Sequence, residues 1–299
     1  MSERPRTPGE PKGGSRAMNA DGSINTVRIG VRRRISQDLY HYFRTTTWPR
    51  LLGMVAGAWL LANLAFAALF QLGGDCIAGA RPGSFVDALA FSVQTLATIG
   101  YGAMSPKTPY AHALVAVEAF LGLLFTAMTT GVVFAKFATP TARIMFAQHP
   151  LITEFDGERV FMFRIANERD NSVVEASVKV SLIRDEVTRD GIFLRRFVEL
   201  PLKRSATPLF ALGWSVFHVI DDKSPLHGLT LEALEALNAT FLVVFTGTDD
   251  SLAATVHARH AYDWSEVRFE HRYVDTVTRG PEGQRTMDFT RFHDTVPRG

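Results

Sequence analysis

From Leu51 to Phe70 the chain runs twenty residues without a charged side chain, LLGMVAGAWLLANLAFAALF, with only Asn63 polar. No other feature limits the fold as much, because about 20 apolar residues of helix are what a bilayer's hydrocarbon core requires. A second charge-free stretch, Ala119–Ala135, lies inside a wider apolar run from about Tyr110 to Phe137 that carries His112 near one end and Glu118 within it. The rest is ordinary polar sequence, and a mean hydropathy of +0.05 averages over the two kinds. A short membrane unit joined to a folded polar domain is expected. A cleavable leader is not, since about fifty residues precede the first stretch and no small-residue cleavage site follows it. The single cysteine, Cys76, excludes an internal disulfide framework and a Cys-rich metal site. A net charge of +2 excludes a strongly basic nucleic-acid binder, so no nucleic-acid partner is expected.

Lys and Arg placement orients the spans. Residues 1–50 hold ten Lys/Arg and four Asp/Glu, whereas the connection 71–109 holds Arg81 and Lys107 against Asp75 and Asp87. The positive-inside rule puts the N-terminus in the cytoplasm, the connection outside and, after two spans, the C-terminal domain back in the cytoplasm. A multi-pass protein of the cell's inner (plasma) membrane is expected.

That connection is too long for a turn and too apolar for a solvated loop. Turn residues open it (Gly73-Gly74-Asp75, Arg81-Pro82-Gly83), and Ser84 three before Asp87 has capping-box spacing. Phe85–Ala97 is apolar on nearly every face, and its length covers only about 20 Å, so it reads as a re-entrant helix buried in protein. Thr98-Ile99-Gly100-Tyr101-Gly102 follows, and this pentapeptide resembles the Thr-Val-Gly-Tyr-Gly filter of potassium channels, where backbone carbonyls replace the ion's hydration shell. Glycines permit the backbone angles that turn successive carbonyls toward one axis. K+ would sit against Thr98, Ile99, Gly100 and Tyr101, with the Thr98 hydroxyl adding a further oxygen, and the preceding helix aims its negative end at the ion's path. One chain gives one filter strand; a closed ring takes four, so a homotetramer is expected. Apart from K+ in the filter, no cofactor is expected.

Residues 35–47 place Ile35, Leu39, Tyr42, Phe43 and Thr46 at helical spacing, as in an amphipathic helix on the inner membrane surface, with Trp48 at the interface and Pro49 opening the first span. In the second span Gly122, Thr126, Thr130 and Phe134 share one stripe. Such a stripe either packs helix on helix or lines a water-filled cavity closed by Phe134; beneath a filter the cavity is the expectation. Glu118 should not face lipid. Arg44, Arg50, Lys136 and Arg143 gather at the inner ends of the spans and are expected to form an anionic-phospholipid site.

Beyond Pro150, alternating runs at 159–166, 173–183, 192–200, 212–220, 241–247 and 267–274, with one short helix at 229–237, predict an immunoglobulin-like β-sandwich. His257-Ala258-Arg259-His260 lacks a cysteine or an obvious carboxylate partner and reads as a structural pair, not a metal or catalytic site. No phosphate loop or nucleophile elbow is present, so no enzyme activity is expected.

From about Asp21 onward the chain resembles the prokaryotic inward-rectifier potassium channels. The segments that carry the resemblance are RPGSFVDALAFSVQTLATIGYGAMSP, TWP, FAKFATP, VVEASVKV, LGWSVFHVIDDKSPLHG and VHARHAYDWSEV. It implies an α-helical two-span membrane pore with a re-entrant pore helix, plus a cytoplasmic all-β sandwich: a largely disordered N-terminus (1–34), an interfacial slide helix (35–47), a pore domain (48–138, with outer helix 48–71, pore helix 84–97, filter 98–102 and inner helix 109–138) and a cytoplasmic domain (139–299). It also implies gating near Phe134, modulation by anionic phospholipid, magnesium or polyamine as blockers, and a vestibule-lining acid at Glu175. Three departures stand out. Gln94 occupies a position where many relatives have glutamate, and Ala103 follows Gly102 in place of arginine, so the ion pair that braces the filter in eukaryotic relatives is absent. Thr126 matches the cavity position whose Asn or Asp sets strong rectification, so weak rectification is expected. The competing reading is a membrane-anchored cytoplasmic sensor whose pore no longer conducts.

Overall fold

The computed structural model describes residues 18–25, 42–43, 45–138, 141–279 and 285–298. The chain divides into two compact units, Gly30–Thr139 and Pro140–Gly299, the latter joined by Met1–Ile29.

Among the described residues, the first unit holds three complete helices. Helix α1 (Trp48–Leu72) carries Pro49 in its first turn, where the missing N–H would have had no partner. Strands β1 (Ile77–Ala78) and β2 (Ser105–Pro106) pair on either side of α2 (Phe85–Leu96), and α3 (Pro109–Phe137) follows, capped by the Thr108 hydroxyl, which accepts the Ala111 N–H. Rise per residue makes α1 and α3 about 38 and 44 Å long and α2 about 18 Å, so the first two can cross a bilayer core and the third cannot. Only 22% and 17% of the most apolar windows of α1 and α3 are buried, which separates them from core helices of a soluble fold. Ser84 Oγ accepts the Asp87 N–H at 3.3 Å, but the Asp87 carboxylate does not complete the capping box. It takes the Arg81 N–H and guanidinium at 2.8–2.9 Å, pinning the turn ahead of α2. Phe70 and Phe91 meet edge to face at 5.1 Å and join α1 to α2.

The second unit is a sandwich of two sheets. One has the order β11 (Ala254–Asp263), β10 (Thr240–Asp249), β6 (Val173–Val187), with β7 (Phe193–Leu200) and β8 (Ala206–Phe210) end to end along the far edge of β6. The other is built on β5 (Glu158–Asn167), flanked by β3 (Ile144–Phe146) and β4 (Leu151–Phe155) on one edge and β9 (Gly213–Val219) on the other, with β12 (Arg268–Phe269) beside β4. Alternate residues of β5 (Phe161, Phe163, Ile165) face alternate residues of β6 and β10 (Val178, Val180, Leu182; Phe241, Val243, Phe245), all essentially without solvent contact. Phe161 stacks on Phe241 at 4.4 Å. Each such side chain contributes roughly 1.5–3 kcal/mol by leaving water.

Helix α4 (Leu231–Ala236) precedes β10, and short pairs β13 (His271–Tyr273) with β16 (Thr295–Pro297) and β14 (Val277–Arg279) with β15 (Arg285–Met287) complete the unit. Two expectations differ from what is found. The run 267–274 is not one strand, because Glu270 adopts φ +52° and breaks it between β12 and β13. The N-terminus (1–34) was expected to be largely disordered, and within it Met18 and Ile24 pair across a turn. Met18 is buried with Ile183 and Ala261, and the Ala20 carbonyl accepts the Ala261 N–H at 3.0 Å.

Candidate functional site

The segment Thr98–Gly102 leaves the C-terminus of α2 with a repeating twist. Thr98, Gly100 and Gly102 have φ of +55°, +58° and +82°, while Ile99 and Tyr101 between them do not enter that region. Alternating left- and right-handed residues turn successive carbonyls to the same side, and for Thr98 this conformation costs about 1–3 kcal/mol. The segment is anchored at its start. The Ile99 and Gly100 N–H groups donate to the Gln94 carbonyl at 2.8 and 3.3 Å, and the Thr98 N–H donates to Thr95 at 3.0 Å. Beyond it, Gly79 (φ +81°) stands so close to the Ala103 carbonyl oxygen that a methyl group would sit 2.2 Å away. All five residues are exposed in the single chain, Ile99 and Tyr101 included at 46% and 77%. The ribbon is anchored through its backbone, while its apolar side chains find no cover in their own chain.

The second-span stripe divides. Gly122 is buried, and a methyl group there would stand 2.3 Å from the Leu96 carbonyl oxygen. Close helix packing therefore accounts for Gly122. Thr126, Thr130 and Phe134 are exposed, Phe134 at 72%. Since Leu96 lies two residues before Thr98, Gly122 is level with the base of the Thr98–Gly102 segment, and Phe134 lies about 18 Å further along α3.

The basic group is spread out. The Lys136 ammonium donates to the Thr46 carbonyl and lies 5.4 Å over the Trp48 ring, while Trp48 also meets Phe137 at 4.5 Å. Arg50 is exposed, and Arg143 is exposed in the other unit. Arg44 lies outside the described residues, as does most of the expected slide helix, of which Tyr42, Phe43 and Thr45 are helical.

In the second unit Glu175 has φ +51°, sits where the β6–β10 register shifts, and is exposed. A bulge of this kind re-aims a side chain, here a carboxylate. Gly247 opposite permits it, since a methyl group there would meet Val173 at 2.4 Å. The histidine pair lies on β11: His260 stacks on Phe146 at 5.0 Å, and His257 Nδ1 is 3.2 Å from Thr246 Oγ1. Among the described residues no three His, Cys, Asp or Glu groups converge as a metal site.

Sequence reasoning missed one polar junction. Asn63, Ser92 and Glu118, from α1, α2 and α3, are fully buried, and the Ser92 Oγ lies 3.2 Å from Asn63 Oδ1 and 2.5 Å from Glu118 Oε1. The separate polarity of Asn63 and Glu118 within apolar runs was its one visible trace.

Residues 144–298 match the family model "Inward rectifier potassium channel C-terminal domain", and residues 51–139 match "Ion channel". The inward rectifier potassium channel Kirbac3.1 of Paramagnetospirillum magnetotacticum is 42% identical over 280 residues, covering 93% of this chain and 95% of that protein. Human inward rectifier potassium channel 4 is 27% identical, covering 94% of this chain and 72% of its own length. Chicken ATP-sensitive inward rectifier potassium channel 12 is also 27% identical, over 88% and 66%.

Proposed function

Because this chain belongs to the inward rectifier potassium channel family, we propose that four copies assemble around one axis and conduct K+ through the carbonyls of Thr98, Ile99, Gly100 and Tyr101. The observation that carries the reading is the alternation of handedness from Thr98 to Gly102 directly beyond the end of a buried short helix. A ring of such strands replaces water around a dehydrated cation, and the partial negative charge at the end of α2 favours the ion's approach. Below the filter, Thr126 and Thr130 line a water-filled cavity, and Phe134 closes it where the inner helices converge.

Both termini are cytoplasmic, as the excess of Lys and Arg before the first span supports. Arg44, Arg50, Lys136 and Arg143 respond to anionic phospholipid at the inner leaflet. Glu175 presents one carboxylate per chain to permeating or blocking cations such as magnesium or a polyamine. With uncharged Thr126 in the cavity, rectification is weak.

The test is the native mass of the solubilised protein, expected at four times 33.1 kDa, together with K+ uptake into liposomes. A monomer, or a tetramer that passes no K+ under any lipid composition, would overturn the reading.

A further inference from the structure

The buried junction behind the filter has a hydrogen count that assigns its protons. Asn63 Nδ2 donates to the Trp59 carbonyl at 2.8 Å, which turns Asn63 Oδ1 toward Ser92. The Ser92 hydroxyl has one hydrogen and faces two oxygens, Asn63 Oδ1 at 3.2 Å and Glu118 Oε1 at 2.5 Å. Were Glu118 ionised, both neighbours would be acceptors and one would face Ser92 lone pairs across a buried contact. One arrangement leaves no two acceptors facing each other. Glu118 Oε1–H donates to Ser92, Ser92 donates to Asn63, and Asn63 donates to Trp59. The remaining oxygen, Glu118 Oε2, is buried with no hydrogen-bond partner among the described residues, which a neutral carbonyl oxygen tolerates far better than half of a carboxylate does.

The junction also sits where it can act on the filter. Glu118 meets Ser92, and Gly122, four residues on, meets Leu96, four residues on from Ser92. Two contacts one turn apart on both helices fix the height and the rotation of α2 against α3, and Asn63 ties the same turn to α1. Gln94, whose carbonyl receives the Ile99 and Gly100 N–H groups, lies between those contacts.

We propose that Glu118, held as the neutral acid and donating to Ser92, is a positioning residue for the filter: it sets the rotation of α2 and through the Gln94 carbonyl the placement of Ile99 and Gly100. The proposal rests on the reading of Thr98–Gly102 as the conduction filter. Glu118→Gln keeps a donor of nearly the same shape and so retains the relay; Glu118→Ala and Ser92→Ala break it.

Two measurements on the full-length tetramer in liposomes test this. Infrared difference spectra of wild type against Glu118→Gln are expected to contain the C=O stretch of one protonated carboxylic acid at neutral pH. The K+/Na+ flux ratio is expected to stay within about twofold of wild type in Glu118→Gln and to fall roughly tenfold in Ser92→Ala, as loss of a buried hydrogen bond predicts. Should Glu118→Ala not assemble, Ser92→Ala still removes the relay with little change of volume. No protonated-acid band, or a Glu118→Gln channel as unselective as Ser92→Ala, overturns the proposal, as does full selectivity in Ser92→Ala. Because the infrared band does not depend on flux, a wild type lacking selective flux would instead sink the filter reading.

Discussion

The two units solve the burial problem in opposite ways. The β-sandwich closes within one chain: Phe161, Phe163, Phe241 and Phe245 have no solvent contact, and the rings of the two sheets touch directly. The membrane unit leaves most of α1 and α3 uncovered, and its functional ribbon lies open with Ile99 and Tyr101 exposed. Its chain buries an apolar cluster around Phe66, Phe70, Phe91 and Ala111, the polar Asn63–Ser92–Glu118 junction and the Gly122–Leu96 contact. The core of the sandwich is therefore closed within one chain, whereas most of the apolar surface of α1 and α3 is left uncovered by its own chain. Mutations in the first should register as stability, and mutations in the second as transport.

The sharpest way to break that division is Gly100→Ala. A Cβ there meets no atom of its own chain within 4 Å; the obstacle the chain itself sets is the φ of +58°, at about 1–2 kcal/mol per chain and four times over in a ring. K+ flux is expected to vanish while the tetramer and the sandwich's thermal transition are unchanged. Undiminished selective flux would refute the filter assignment.

Phe161→Ala is the converse. It should cost the sandwich about 3–5 kcal/mol, seen as a lowered thermal transition, with the K+/Na+ ratio of surviving channels unaltered. Altered selectivity would show that the two units are not separable in this sense.

Gly122→Ala forces a methyl group onto the Leu96 carbonyl and should cost about 1–3 kcal/mol of helix packing, read as reduced flux with partial loss of selectivity. Smaller still is Arg50→Gln. One cation near an anionic surface is worth about 1 kcal/mol, so the anionic-lipid dose-response should shift about fivefold, and an unmoved curve removes Arg50 from the lipid site.

The smallest expected effect is a pH dependence confined to the sandwich. His218 is buried, with Nδ1 donating to the Pro201 carbonyl and Nε2 bonded to Ser224 Oγ, and its burial lowers the pKa below the usual imidazole value. The unfolded chain then binds this proton at a higher pH than the folded one. The contribution is full above about pH 6.5 and is lost as pH falls through the lowered folded value. Thermal scans from pH 7.5 to pH 5 (roughly the imidazole range) should show the decline, and His218→Gln should flatten it.

The fold class was legible because burial leaves traces in the sequence: charge-free runs for α1 and α3, alternation for β6, β9 and β10, and a near-continuous apolar run for β5, which is buried on both faces. It failed where side chains do not carry the pattern. Strand β11 reads Ala-Thr-Val-His-Ala-Arg-His-Ala-Tyr-Asp, poor in branched residues, and its pairing with β10 is what makes it a strand. The break at Glu270 is a backbone event that the residue type does not announce. Residues 18–25 gain order by docking on β11, a tertiary contact invisible in their composition. At the site, the Thr98–Gly102 motif is local, so its resemblance to a potassium-channel filter is visible in the sequence itself. The junction behind it joins residues 29 and 26 positions apart on three helices, and no periodicity connects them.

The central claim is that the exposed ribbon at Thr98–Gly102 becomes a cation-selective ring when copies assemble. Its most direct test is the reversal potential of the purified wild-type channel in planar bilayers with K+ on one side and Na+ on the other. The account predicts a reversal potential close to that of a K+-selective membrane; a value near zero, with both ions passing equally, would contradict it.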